Sequence, residues 1–347
     1  MEQASGVDER RAGPQKERAA IAGGRRGAFS HQALLHAGDD ELATAAATFV
    51  ATALEAGESV VLAVRGEREV FLREVLADDA RNVMFCDIEV LARNPARLIP
   101  AWLRFLDQHD DGARGLAMLA ECVWPGRSEE ELSECARYEG LLNVAFGRGR
   151  AWRLLCPYDV DALDDEIVEL ARSTHPLLRL DGKTEASRAY AGADAVRPLE
   201  GELSEPPAGA RALAFTITSL HEVREFVADA AHAARLPSQR TENLRLAVNE
   251  LASNSVCHGG GAGTLRTWCD EEALVCQVSD NGRIRERMVG RLRPDPDQTS
   301  GRGLWLVNHL CDLVQIRSGD HGSVVRVYVR LAGDEAAELA QRPRTLR

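Results

Sequence analysis

Between residues 179 and 209 the hydrophobic period of this chain fails, and the order of elements differs on its two sides. The stretch holds Gly, Pro, Ser and charge and ends in Pro206-Pro207-Ala208-Gly209, the composition of a linker. Divided there, a chain of 347 residues leaves two halves each long enough to bury its own core. On the N-terminal side, strand-length apolar runs alternate with helical spacings. Ser59 to Val64 reads as a strand buried on both faces, Asn82 to Cys86 as another buried strand, and Gly115 to Leu119 and Trp152 to Cys156 as further strands. Helices are predicted over Leu42 to Leu54, Val70 to Leu76, Pro95 to Leu106, Glu129 to Phe146 and Asp164 to Arg172. This alternation implies an α/β domain with a mainly parallel sheet over residues 28–178.

The C-terminal side runs in a different order. A strand from Leu213 to Ile217 precedes two helices, Leu220 to Leu236 and Thr241 to Cys257. Strands Gly263 to Cys269 and Ala273 to Ser279 then meet at the acidic turn Asp270-Glu271-Glu272. A loop leads to Gly303, a helix covers Leu304 to Cys311, and strands Val314 to Arg317 and Ser323 to Leu331 follow. Helices on one face of an antiparallel sheet make an α+β sandwich, expected over residues 210–332. Residues 1–27, rich in Ala, Gly, Arg and Glu without apolar period, read as a disordered tail, and 333–347 as a second tail.

Composition narrows the function classes. Hydrophobic residues at 45% and charged residues at 28% are ordinary for globular protein. A net charge of −12 argues against nucleic acid, which needs a basic face. No apolar run approaches the ~20 residues of a membrane span, and Arg10-Arg11 has no apolar stretch after it to make a signal peptide. The eight cysteines include no Cys-x-x-Cys pair, so a disulfide framework and a zinc site both read poorly. A reduced, cytoplasmic protein is the expectation.

Three segments of the second half carry chemistry. In Glu250-Leu-Ala-Ser-Asn254-Ser-Val-Cys-His258, a spacing of four puts Glu250, Asn254 and His258 on one helix face. An amide oxygen suits Mg²⁺, and a neighbouring carboxylate can take a hydroxyl proton. Leu244, Val248, Leu251 and Ser255 lie on an adjoining face that can meet the sheet. In Val278-Ser-Asp280-Asn-Gly282, a strand-end carboxylate can face an exocyclic amine while glycine backbone lies against a flat ring. In Gly301-Arg302-Gly303, glycines open an apolar helix whose free N–H groups can hold phosphate. Each alone also reads as a solvated face, an ordinary turn or loop punctuation.

In this order and on these elements the three resemble the N, G1 and G2 boxes of the GHKL superfamily, the ATPases of gyrase, histidine kinases and mismatch-repair proteins. The resemblance covers about residues 211–331 and implies the Bergerat fold, with ATP and Mg²⁺ as cofactors. It implies that Asn254 ligates Mg²⁺, that Asp280 binds the adenine amine and that Gly282 packs on the ring. It makes Gly301 and Gly303 the phosphate-facing end of an ATP lid, Glu250 the general base and His258 the close of the first box. Two positions depart from the pattern: Ile284 stands where a second glycine is usual, and Gly322-Ser323 replaces Gly-Thr, keeping the hydroxyl. The arginines at 283, 285, 287, 291 and 293 read either as a basic lid or as a solvated loop, with Arg302 the best phosphate candidate.

The segment before this domain is no helical hairpin with a phosphoacceptor histidine, and the domain resembles the serine-kinase anti-sigma factors of bacterial partner switching. That implies a serine/threonine protein kinase acting on a STAS-type anti-sigma antagonist, a sigma factor as further partner, and a homodimer. The alternatives are a module that binds a partner under ATP control without phosphorylating it, and a histidine-kinase-like sensor.

The first half has its own pattern. His31 lies ahead of the first predicted helix, and Glu121-Cys-Val-Trp124-Pro-Gly-Arg127 leads into a helix with Glu131, Glu134, Tyr138, Glu139 and Asn143. Cys156-Pro157-Tyr158-Asp159 and Thr174-His175-Pro176 follow. Together these resemble the MEDS sensory domain over about residues 29–178, which implies a RecA-like fold. No Gly-x-x-x-x-Gly-Lys-Ser/Thr occurs, so no P-loop site is expected. His31, Trp124, Arg127, Glu139 and Tyr158 are candidates to line a ligand pocket at the strand ends. Alternatively, Trp124-Pro125-Gly126 is a packed turn and His31 a structural histidine.

Overall fold

The computed structural model describes residues 29–109, 115–147, 151–195, 199, 203–294 and 301–331. The two expected tails lie outside the described residues. The first domain is built on β1 (Ser30–His36), β2 (Ser59–Val64), β3 (Val83–Asp87), β4 (Leu116–Ala120), β5 (Trp152–Asp159), β6 (Leu177–Leu180) and β7 (Lys183–Ala186). They form one sheet in the order β3-β2-β4-β5-β1-β6-β7. Every pairing is parallel except the last, β6 with β7. The mainly parallel α/β reading therefore holds.

Period-two alternation divides the core into two layers. Val60, Leu62 and Val64 of β2 pack with helices α1 (Gly38–Glu55) and α2 (Gly66–Leu76). Val61 and Ala63 face the other way, toward α3 (Leu98–His109), α4 (Glu129–Phe146) and α5 (Asp165–Thr174). Helix α4 opens on a capping box, in which Ser128 and Glu131 each satisfy the other's backbone N–H.

Two features of this domain differ from the sequence reading. Strand β1 is central, between β5 and β6, although no strand is expected there. Its polar Ser30, His31, Gln32 and His36 hide the apolar signal, yet Ala33, Leu34 and Leu35 are all buried. The second concerns the stretch read as a linker, 179–209. Its first part is a hairpin, with Leu180 opposite Lys183 across Asp181-Gly182. Both turn residues have positive φ, 47° and 71°, as a two-residue hairpin turn demands. Farther on, Leu199 packs into the second domain's core and its carbonyl accepts the Ser318 N–H. The stretch is thus structure of both domains.

The second domain orders β8 (Arg211–Thr216), α6 (Leu220–Ala233), α7 (Ser238–His258), β9 (Ala262–Cys269), β10 (Ala273–Asp280), α8 (Arg302–Leu310), β11 (Leu313–Gly319) and β12 (Gly322–Arg330). Its sheet runs β11-β12-β10-β9-β8, antiparallel throughout. Leu274, Cys276 and Val278 of β10 face the helices, meeting Leu244, Val248 and Leu251 of α7 and Val307 of α8. Among the described residues, no helix is long and apolar enough to cross a membrane.

The domains meet along α4. Glu134 on α4 accepts from Arg291 Nη2 at 2.7 Å and from Arg317 Nη1 at 3.3 Å. Arg137 Nη2 reaches the carbonyl of Arg287 at 3.2 Å. Arg97 caps the far end of α8, donating to the carbonyls of Asn308 and Cys311 at 2.8 and 2.6 Å. A cation at a helix C-terminus satisfies orphan carbonyls and complements the dipole.

Candidate functional site

The three segments singled out in the second domain converge at one end of its sheet. Asp280 ends β10, and its carboxylate is held from two sides. Oδ2 accepts from the Ser255 hydroxyl at 2.6 Å, and Oδ1 accepts the Gly282 N–H at 2.8 Å. Helix α7 places Ser255 beside the strand because its neighbours on that face, Leu244, Val248 and Leu251, bury against the sheet. The helical spacing puts Ser255 on the packing face, which hides its polar role in the sequence.

Backbone comes unusually close here. A Cβ on Gly282 would lie 2.7 Å from the His258 carbonyl oxygen, and one on Gly259 would lie 2.4 Å from the Asp280 carboxyl carbon. Asn281 donates its N–H to the Gly259 carbonyl at 3.1 Å. Only glycine leaves room for this crossing of the helix end over the strand end.

Ser323 is buried, and its hydroxyl donates to the Gly282 carbonyl at 2.8 Å and lies 2.8 Å from Ser318 Oγ. The hydroxyl that the resemblance implies for adenine binding thus also holds the glycine turn. At Ile284 the N–H donates to Ser318 Oγ at 2.8 Å and the side chain packs on the core. The residue replacing the usual glycine anchors the turn.

At the other end of the cradle Gly303 opens α8 against α7. A Cβ there would lie 3.0 Å from Asn254 Nδ2 and 3.1 Å from Glu250 Oε2. Gly301, at φ 86°, is the N-cap. Glu250, Asn254, Gly301, Arg302 and Gly303 thus share one corner, whereas His258 is exposed at the end of α7 and contributes its backbone. The basic-lid reading needs one correction: Arg291 is buried on Glu134 and faces the other domain.

The first domain holds a second polar group of residues. His31 of β1 and Cys156 of β5 lie on the same sheet face, because Ala33 pairs with Cys156 and His31 with Leu154. Glu139 projects from α4 onto them, and His175 precedes β6. Glu139 Oε2 lies 3.1 Å from His31 Nε2, 3.5 Å from His175 Nε2 and 3.8 Å from Cys156 Sγ. Burial pushes both His31 and His175 down to about 3. Burial raises Glu139, opposed by His175 and the Tyr158 hydroxyl.

Of the five candidates for a sensory pocket, His31, Glu139 and Tyr158 come together. Trp124 and Arg127 do not join them: the guanidinium stacks 3.6 Å above the indole and donates to the Ala92 carbonyl. The cavity lined by Glu139 and Tyr158 measures about 10 Å³, room for roughly one water. Cys156, His175 and Asn143 are absent from the candidates, although the segments carrying them are conspicuous in the sequence.

Comparison with known proteins agrees with this division. No curated protein matches the chain. The Acinetobacter baumannii histidine kinase AdeS aligns at 10% identity and a TM-score of 0.22, over 35% of this chain and 68% of that one. The RsbU and RsbW domains of Rv1364c from Mycobacterium tuberculosis align at 15% identity and 0.28, over 60% of this chain and 50% of that one. Likenesses this low carry no argument about fold or activity. Family models do match: the MEthanogen/methylotroph, DcmR Sensory domain (MEDS) over residues 30–176, and the Histidine kinase-like ATPase domain over 213–329. The chain therefore joins a MEDS domain to a histidine kinase-like ATPase domain.

Proposed function

We propose that the protein is a signalling regulator whose second domain binds Mg-ATP and phosphorylates serine or threonine on a STAS-type anti-sigma antagonist, under control of the first domain. The observation that carries this reading is the meeting of Gly303 with Asn254 and Glu250, opposite Asp280 with its flanking glycines. The residues fit the nucleotide: a carboxylate for an amine, bare backbone for a ring, a helix N-terminus for phosphate. Asn254 would ligate Mg²⁺, whose charge offsets that developing on the transferred group. Glu250 would accept the proton of the attacking hydroxyl. The strand orders of the two sheets support RecA-like and Bergerat topologies.

Control runs through α4 and the segment after Gly282. The same helix carries Glu139 at the buried cluster and Glu134 on Arg291, while Arg97 caps α8. Calorimetric titration of ATP tests the reading. Wild type binds, Asp280→Asn does not, and Asn254→Ala loses the Mg²⁺ dependence. No binding by wild type across the millimolar range overturns it. Glu250→Ala is expected to keep ATP binding and lose phosphotransfer.

One observation favours a second reading, a module that sequesters its partner under ATP control. Ile284 and Arg291 both tie down the segment expected to move as a lid. A partner that co-purifies yet stays unmodified after long incubation with Mg-ATP supports that reading.

A further inference from the structure

The buried cluster of the first domain has the donors, the spacing and the supporting hydrogen bonds of a metal centre. We infer that His31, Glu139, Cys156 and His175 form a binding site for a divalent transition metal of the zinc class. Their ligand atoms all lie within 4.8 Å of one another, and all four residues are buried. Around a tetrahedral ion with bonds of about 2.0–2.3 Å, neighbouring ligand atoms stand roughly 3.3–3.6 Å apart. Here His31 Nε2 lies 3.1 Å from Glu139 Oε2 and 3.6 Å from Cys156 Sγ, and His175 Nε2 lies 3.5 Å from Glu139 Oε2. Two imidazoles, a carboxylate and a thiolate form a donor set suited to zinc and cobalt.

The outer hydrogen bonds fix both imidazoles in the ligating tautomer. His31 Nδ1 donates to Asn143 Oδ1 at 3.1 Å, and Asn143 Nδ2 donates to the Thr174 carbonyl at 2.8 Å, which sets the amide's orientation. His175 Nδ1 donates to the Ala171 carbonyl at 2.8 Å. Both Nε2 atoms therefore present lone pairs inward, toward a carboxylate and a sulfur. This arrangement matches the outer-shell support of histidine ligands in metal sites. His175 Nε2 has no hydrogen-bond partner there. Without a cation, a proton on Glu139 can meet one imidazole lone pair and leaves the other only the weak Cys156 thiol donor, which lies 3.6 Å from His31 Nε2. One tetrahedral cation meets all four donors, and its binding releases to solvent the Cys156 thiol proton together with any proton held on Glu139. The sequence hides the site because its ligands come from β1, α4, the middle of β5 and the turn before β6, with no short spacing among them.

The test uses the full chain, stripped of metal by a chelator and dialysed against zinc or cobalt. Stoichiometric uptake with a raised Tm is expected, since a ligand held only by the folded state stabilises it. Cobalt is expected to show the intense visible bands of tetrahedral coordination and a near-ultraviolet thiolate charge-transfer band. Cys156→Ser should lose the charge-transfer band. The double variant Cys257→Ser, Cys269→Ser, which removes the exposed thiols, should keep it. Trace uptake by wild type with no change in Tm overturns the site, as does a charge-transfer band that survives in Cys156→Ser.

Discussion

Arg291 and Glu134 come from different domains, are both buried, and meet at 2.7 Å. Burial lowers the Arg291 guanidinium, and the Glu134 carboxylate opposes that shift. Since Arg317 of β11 leans on the same carboxylate, Glu134 is a hub through which the MEDS domain grips both β11 and the segment after Gly282 that carries Arg291.

Glu134→Ala is expected to strand a buried cation and destabilise the protein by about 3–5 kcal/mol. Urea denaturation checks this. The pair Glu134→Leu with Arg291→Met removes both charges and should cost less than the single change; an additive loss would show that the two residues act independently.

Ser255→Ala removes the hydroxyl from Asp280 Oδ2. Loss of a hydrogen bond to a charged group is worth about 1.5 kcal/mol, so ATP affinity should fall about tenfold. Calorimetry reads the affinity and thermal unfolding confirms the fold. Unchanged affinity would remove Asp280 from the adenine contact.

Gly322 sits at φ 111°, and a Cβ there would lie 2.1 Å from the Asp280 carbonyl oxygen. Gly322→Ala should destabilise by more than about 2 kcal/mol, combining strain with a backbone clash. Gly319, three residues earlier with nothing within 4 Å of its Cβ, is the control and should change stability by less than about 1 kcal/mol. Chemical denaturation distinguishes them.

The buried histidines predict acid sensitivity of the metal-free protein. His31 and His175 are held down to about 3, below their ordinary 6.5, so the unfolded chain binds more protons as pH falls through that range. Stability is therefore complete above about pH 6.5 and lost on acidification. The raised Glu139 has the opposite sign, taking up a proton in the folded state. The net slope should be about 1.4–2.7 kcal/mol per pH unit between roughly pH 6 and 4. Denaturation midpoints that stay flat across that window would contradict the burial of neutral imidazoles.

Much of this protein is legible in its sequence alone. Val60 to Val64 alternates between two apolar layers, and the helical period of Leu244, Val248 and Leu251 turns one face to a sheet; both follow from local geometry that any chain obeys. The close spacing within Glu250-Asn254-His258 and Asp280-Gly282 likewise points to a candidate site, since those residues share one helix face or one turn. Tertiary structure decided the rest, because it depends on contacts between residues far apart in the chain. Strand β1 is polar at its ends and central only because β5 and β6 flank it. Ser255 and Ser323 have their roles because Asp280 and Gly282 arrive from another element. Residues 31, 139, 156 and 175 have no periodic relation, and only the packing of α4 on β1 and β5, with the turn before β6, brings their donor atoms within 4.8 Å of one another.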